Sequence, residues 1–206
     1  MTSYLDITLG PMFSGKTSKL INIYNELKNT ENVIVVNHEL DTRYHNTTPD
    51  SCFSTLYSHD KISIPSLMIG NLFDSWFDHN HPCYNIINSA DYILINEAQF
   101  FEELKYVVLD MLRNNKKVFI FGLDGDFEQK KFGEILDLIP YSDSIEKLSS
   151  ICSNCNGKAI FSHRIEKNSN QVLIGNNNYL PLCRNCYYKE NNYLLCCLLY
   201  TSDAAD

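Results

Sequence analysis

Gly10-Pro-Met-Phe-Ser-Gly-Lys-Thr17 is a complete G-x-x-x-x-G-K-[ST] loop. Its glycines let successive backbone N–H groups turn inward around an anion. Lys16 reaches the outer phosphates of a nucleotide, and the Thr17 hydroxyl serves Mg²⁺. The flanks agree with that reading. Leu5, Ile7 and Leu9 alternate as a strand does, and Leu20, Ile21, Ile23, Tyr24 and Leu27 recur at helical spacing over Lys16–Leu27. A strand, a glycine loop and a helix in that order aim the positive end of the helix at a bound phosphate.

Working outward, Val33–Asn37 reads as a buried strand and His38–Asp60 as a polar loop. Ser66–His79 reads as a helix carrying Leu67, Ile69, Leu72, Phe73, Trp76 and Phe77 on or near one face. Tyr92–Asn96 is a short apolar strand, Glu102–Arg113 an amphipathic helix and Val118–Leu123 another strand. Phe132–Ile139 reads as helical, stopping before Pro140. Strands alternating with helices over residues 1–148 predict an α/β P-loop (RecA-like) domain, its parallel sheet covered by helices on both faces. The composition changes near Ser149, and residues 149–190 read as a small zinc-ribbon-like lobe.

With 206 residues, the chain has room for one sizeable core and a small appendage. A net charge of −8 argues against a partner such as DNA, which needs a basic face. No apolar run approaches a membrane span, and no charged segment followed by an apolar one opens the chain, so a cytoplasmic protein is expected. Eight cysteines without a secretion signal read as metal ligands or as chance, rather than as a disulfide framework.

Cys152-Ser-Asn-Cys155 and Cys183-Arg-Asn-Cys186 form a C-x₂-C…C-x₂-C pattern around a long polar segment. Four thiolates around one Zn²⁺ leave no open coordination position, so this metal is expected to be structural. Cys52 and Cys83 stand alone. The strand ending in Ile95-Asn96-Glu97 places polar groups where open α/β sheets contact their ligands. Asn96 stands where P-loop proteins usually carry a metal-holding acid and offers a neutral amide oxygen. Glu97 is left as a candidate base for a hydroxyl acceptor. Phe100, Phe101, Phe127 and Phe132 follow strand ends and suit stacking on a planar base or packing in the core.

These stretches resemble the zinc-containing P-loop thymidine kinases of bacteria, eukaryotes and large DNA viruses. The resemblance runs from about residue 3 to 190. It rests on the loop at 10–17, Asp41-Thr-Arg43-Tyr, Ser58-His-Asp60 and Asn96-Glu-Ala-Gln-Phe-Phe101. It continues through Gly122-Leu-Asp-Gly-Asp-Phe127, Phe132-Gly133, Lys147-Leu-Ser, Phe161-Ser-His-Arg164, Ile174-Gly175, Tyr179 and both Cys pairs. It implies ATP-dependent phosphorylation of the thymidine 5′-hydroxyl with Glu97 as general base. Residues Gly10, Pro11, Met12, Phe13, Ser14, Gly15, Lys16 and Thr17 would bind ATP, with Asp41, Arg43, Asn96 and Gln99 around the phosphates and Mg²⁺. Phe100, Phe127, Phe132 and Ser162 would line the base pocket. Gln171, Val172, Leu173, Ile174, Gly175 and Tyr179 would form a lasso loop, pinned by structural Zn²⁺, against the thymine edge. The resemblance also implies a homotetramer inhibited by thymidine triphosphate. Three departures stand out: Asn96 for the usual Asp, Ser162 for the common Thr, and a segment before Tyr179 that is one residue short.

Two other readings remain at this point: another P-loop NTPase, such as a helicase fragment or a GTPase, and a zinc-lobed nucleotide-binding module without catalysis. Residues 191–206 read as a tail, and Cys197–Asp206 resembles translated sequencing adaptor. A chain ending at Cys196 is therefore expected to match the full chain in activity and thermal midpoint, because an unselected segment has no evolved partner in the core. A midpoint several degrees lower after truncation would show the tail to be part of the fold.

Overall fold

The computed structural model describes residues 2–41, 52–58, 62–166, 170–173 and 178–191. Strand β1 (Tyr4–Leu9) is sandwiched in a sheet that also contains β2 (Val33–His38), β3 (Phe53–Tyr57), β4 (Ser63–Ile69), β5 (Tyr92–Ile95), β6 (Lys117–Gly122) and β7 (Ser144–Lys147). The order is β3-β4-β2-β5-β6-β1-β7, parallel throughout except for β3, which runs antiparallel to β4. Parallel neighbours need crossovers, and the helices supply them.

Both faces of the sheet are covered, as the pattern of strands and helices predicted. Helix α1 (Lys16–Leu27) packs Leu20 and Ile21 against Val35, Tyr92 and Leu94 on one face. On the other face α2 (Leu72–Phe77), α3 (Tyr84–Ser89) and α4 (Leu104–Arg113) pack against Ile93, Ile95 and Ile120. Successive β5 residues thus belong to opposite cores, which is why the strand reads as an unbroken apolar run. β1 alternates apolar and polar residues, yet Asp6 and Thr8 are buried too. Lys19 of α1 covers them, donating from Nζ to Thr8 Oγ1 at 2.8 Å and to Glu146 at 2.7 Å.

A smaller unit follows β7. Strands β8 (Ser150–Ile151) and β9 (Lys158–Ala159) form one antiparallel pair, and β10 (Phe161–Arg164) and β11 (Tyr179–Leu182) another. Helix α5 (Arg184–Glu190) completes it. Cys152, Ala159, Leu182 and Tyr187 make its core.

Three sequence expectations change. Ser66–Ile69 is not the start of a helix but the end of β4, buried beside β2. A short apolar run has no decisive period, and the break falls at Gly70, after which Asn71 caps α2 by accepting from Asp74 N at 3.1 Å. The segment His38–Asp60 is not wholly loop, because Phe53–Tyr57 pairs with β4 as an edge strand. Phe132–Ile139 is helical only from Ile135 onward, and the helix does not stop before Pro140. A 3₁₀ helix spans Ile135–Tyr141 and includes Pro140. Its three-residue repeat buries Ile135 and Leu138, while the left-handed backbone of Gly133 (φ 61°) keeps Phe132 outside it.

Candidate active site

The ends of β1, β2, β5 and β6 open into one cleft that the phosphate loop, Glu97 and the aromatic residues share. The loop's shape demands special backbone at its start. Gly10 has φ 154°, and a Cβ there would lie 2.7 Å from Ser14 Oγ and 2.9 Å from the Leu148 carbonyl. Gly15 then caps α1 in the left-handed region. Lys16 is buried and donates from Nζ to the carbonyls of Gly10 (3.0 Å) and Pro11 (2.9 Å), which holds its ammonium over the loop. Met12, Phe13, Ser14, Gly15, Lys16 and Thr17 line the cleft; Gly10 and Pro11 do not, and serve as acceptors for Lys16.

Glu97 follows β5 with φ 49° and ψ 40°. A left-handed non-glycine residue costs about 1–3 kcal/mol and persists only where its surroundings enforce it. Gln99 is the enforcing neighbour. Its Nε2 donates to Glu97 Oε2 at 2.7 Å, and its Oε1 accepts from Leu123 N at 3.0 Å. Gly133 presses on the Gln99 backbone so closely that a Cβ would sit 2.3 Å from the Gln99 carbonyl oxygen. One side chain thus fixes the Glu97 carboxylate relative to the end of β6.

Asn96 does not line the cleft, whereas Asp41 does. Asn96 is buried and donates from Nδ2 to Asn37 Oδ1 at 2.9 Å, and Asn37 donates in turn to Asp41 Oδ2 at 3.0 Å. Asn37, which belongs to no recognisable motif, therefore links the two. His38 shapes the turn to Asp41: its Nδ1 accepts from Leu40 N at 3.0 Å, which puts the ring proton on Nε2. Burial lowers its pKa and keeps it neutral. Its ring lies against Phe100 and Phe101, with centroids 5.5 and 4.6 Å away.

Phe100 and Phe132 meet edge to face with centroids 5.6 Å apart, and with Phe127 they wall the far part of the cleft. Phe101 is core instead. Ser162, Gln171, Val172, Leu173 and Tyr179 close the cleft from the smaller unit. Ser162 Oγ accepts from Met12 N at 2.9 Å, and Ser150 Oγ donates to the Phe13 carbonyl at 2.9 Å, so that unit is bonded to the phosphate loop itself. Gln171 Nε2 donates to Asp126 Oδ2 at 2.8 Å. Leu40, Leu123 and Asp126 also line the cleft; Leu123 and Asp126 belong to the Gly122–Phe127 stretch, of which the sequence assigned a role to Phe127 alone. Arg43, Ile174, Gly175, His59 and Asp60 lie outside the described residues.

The sulfurs of Cys152, Cys155, Cys183 and Cys186 all lie within 4.8 Å of one another, with Cys155 and Cys183 at 3.6 Å. Bonds of about 2.3 Å to a tetrahedral zinc put sulfurs about 3.8 Å apart, so the donor set fits that ion. Burial pushes the Cys152 thiol upward, but backbone N–H groups of Cys183, Asn154 and Cys155 outweigh it and bring the pKa down to about 6. Hydrogen bonding to the Cys183 sulfur holds the Cys186 thiol up, to about 12, so one thiolate is favoured before a metal binds and the ion must drive off the remaining protons.

The protein-family model described as Thymidine kinase matches residues 3–187. The thymidine kinase of Yaba monkey tumor virus is 35% identical over 193 residues, covering 93% of this chain and 98% of its own length. That of Bacteroides thetaiotaomicron is 36% identical over 188 residues, covering 90% and 87%. Thymidine kinase a of Arabidopsis thaliana is 35% identical over 184 residues, covering 88% and 73%.

Two measurements follow from this geometry. An aspartate at position 96 would set a carboxylate against Asn37 Oδ1, and turning Asn37 to answer it would withdraw its N–H from Asp41. Asn96→Asp is therefore expected to cost about 1–3 kcal/mol in denaturant unfolding; an unchanged midpoint would show that these amides are oriented the other way round. Protein purified without chelator is expected to carry one zinc per chain, and Cys183→Ser to lower the yield of folded protein, since binding energy here is folding energy. Zinc-free protein that folds fully would refute the site.

Proposed function

The chain belongs to the thymidine kinase family, and we propose that it transfers the γ-phosphate of ATP to the 5′-hydroxyl of thymidine, as an ATP:thymidine 5′-phosphotransferase supplying thymidine monophosphate for DNA synthesis. The observation that carries this reading is the single cleft shared by the phosphate loop, the carboxylate of Glu97 and the three phenylalanines. A phosphoryl donor and a planar base would then meet beside one candidate base.

In this reading the amides of the loop and Lys16 cradle the phosphates, and α1 points its positive end at them. Phosphoryl transfer asks little covalent chemistry of a protein, so positioning and charge stabilisation dominate. Glu97 takes the proton from the 5′-hydroxyl. Its carboxylate is fixed by Gln99, so little reorganisation is needed as that proton moves. Thr17 and Asp41, both on the cleft, are the oxygen donors that would hold Mg²⁺, a hard cation that suits such ligands. The ion would neutralise phosphate charge, while Asn37 keeps the Asp41 carboxylate turned. Arg43 joins these groups by resemblance to the family. The phenylalanines stack on the base, and the chain from Gln171 to Tyr179, including Ile174 and Gly175, reads its edge. Zinc in the Cys₄ cluster plays a structural part.

A homotetramer and feedback inhibition by thymidine triphosphate, both supported by the same resemblance, complete the proposal, together with the cytoplasmic location expected from the sequence. None of the described helices is long and apolar enough to cross a membrane.

Glu97→Gln tests the assignment of the base. Removing a general base typically lowers kcat by about 10²–10⁴, and binding of ATP and thymidine is expected to survive, because the amide keeps the shape. The measurement is steady-state transfer of labelled phosphate together with equilibrium binding of each substrate. A variant retaining half of the parent turnover would remove Glu97 from this role.

A further inference from the structure

β10 sends two buried side chains, Ser162 and Arg164, out of the same strand face. Ser162 bonds the phosphate loop through Met12 N. Arg164 turns to the other end of the cleft. Its Nη1 donates to the carbonyl of Asn170, and its Nη2 donates to the carbonyl of Gln171 at 2.8 Å and to Tyr179 Oη at 2.6 Å. The Tyr179 hydroxyl donates onward to the Leu173 carbonyl at 3.1 Å. The guanidinium also lies on the Phe127 ring, 3.8 Å from its centroid.

Phe127 is gripped from a second direction, since the Tyr187 hydroxyl of α5 donates to its carbonyl. Arg164 thus touches the aromatic wall with its flat face and the chain opposite with its edge. The gap between wall and chain is set by the dimensions of one planar group. A guanidinium offers both a stacking face and a fork of fixed donors; an ammonium offers neither.

We propose that Arg164 is the positioning residue that sets the width of the nucleoside slot, and with it the discrimination between pyrimidine bases. This rests on the reading that the aromatic part of the cleft receives the nucleoside. Arg164 does not line the cleft, so it acts through Phe127 and the segment 170–173 rather than by touching substrate. The phosphate loop takes its support from Ser162 and Ser150, which leaves ATP binding outside the effect.

The test uses the full zinc-loaded chain, with zinc content and thermal midpoint checked for each variant. Arg164→Lys keeps the charge and loses the fork and the face. It is expected to raise the KM for thymidine about tenfold or more, to leave the KM for ATP within about twofold, and to lower the kcat/KM ratio of thymidine over deoxycytidine. Tyr179→Phe removes a single shared hydroxyl from a half-exposed residue. It is expected to shift the thymidine KM the same way by about threefold, and it decides the matter if Arg164→Lys does not fold. Phe127→Leu probes the slot itself. If Phe127→Leu leaves thymidine KM unchanged, the slot does not receive the nucleoside and the proposal falls with that reading. If Phe127→Leu weakens thymidine while Arg164→Lys and Tyr179→Phe behave like the parent, the slot stands and the role of Arg164 is overturned. Equal rises in both KM values would likewise overturn it, as a general loss of structure.

Discussion

Parallel pairing constrains everything functional in this protein. β1 lies between β6 and β7 with all three running the same way, and β2 and β5 extend that direction. Parallel strands deliver their chain ends to one edge, where the backbone must leave the ladder and turn into a crossover. The phosphate loop after β1, Asp41 after β2, Glu97 after β5 and Phe127 after β6 share a cleft for that reason. Turning β1 over would scatter them across opposite ends of the sheet.

The same edge is where burial is most expensive. The strands are covered on both faces, so polar groups at their ends are cut off from water and must satisfy one another. The amides of Asn96 and Asn37 pass one hydrogen bond to the next until the chain ends on the Asp41 carboxylate. Gln99 performs a similar service for Glu97 and for the backbone at Leu123. Every donor so placed fixes an orientation, and rigid orientation is what electrostatic catalysis uses. The left-handed backbone of Glu97 fits this picture: packing around Gln99 and Gly133 holds it where it would not rest alone.

The cysteine lobe is too small to hold its shape by apolar burial, with four buried core residues among those described. Four sulfurs drawn together tie the turn between β8 and β9 to the start of α5, and α5 carries Tyr187 to the Phe127 carbonyl. A metal held by the cysteines would therefore be coupled to the aromatic wall through one helix, while β10 reaches the phosphate loop and the slot through Ser162 and Arg164. The lobe is joined to both ends of the cleft.

Features encoded by spacing are legible in the amino-acid sequence alone. The loop at 10–17, the helix Lys16–Leu27, the two Cys pairs and the polar end of β5 are local patterns, each read within a dozen residues of itself. Ser66–Ile69 is not legible in that way, because a short apolar run suits a helix or a buried strand equally; pairing with β2 decides it. The roles of Asn37 and Arg164 are hidden for a stronger reason. Asn37 answers Asn96 across 59 positions, and Arg164 stacks on a ring from another unit. The sequence by itself determined which chemical groups exist and which lie at strand ends, because local spacing governs both. Which of those groups touch was decided only by the tertiary structure, because hydrogen-bond partners and stacking faces depend on how the sheet, the crossovers and the lobe pack together.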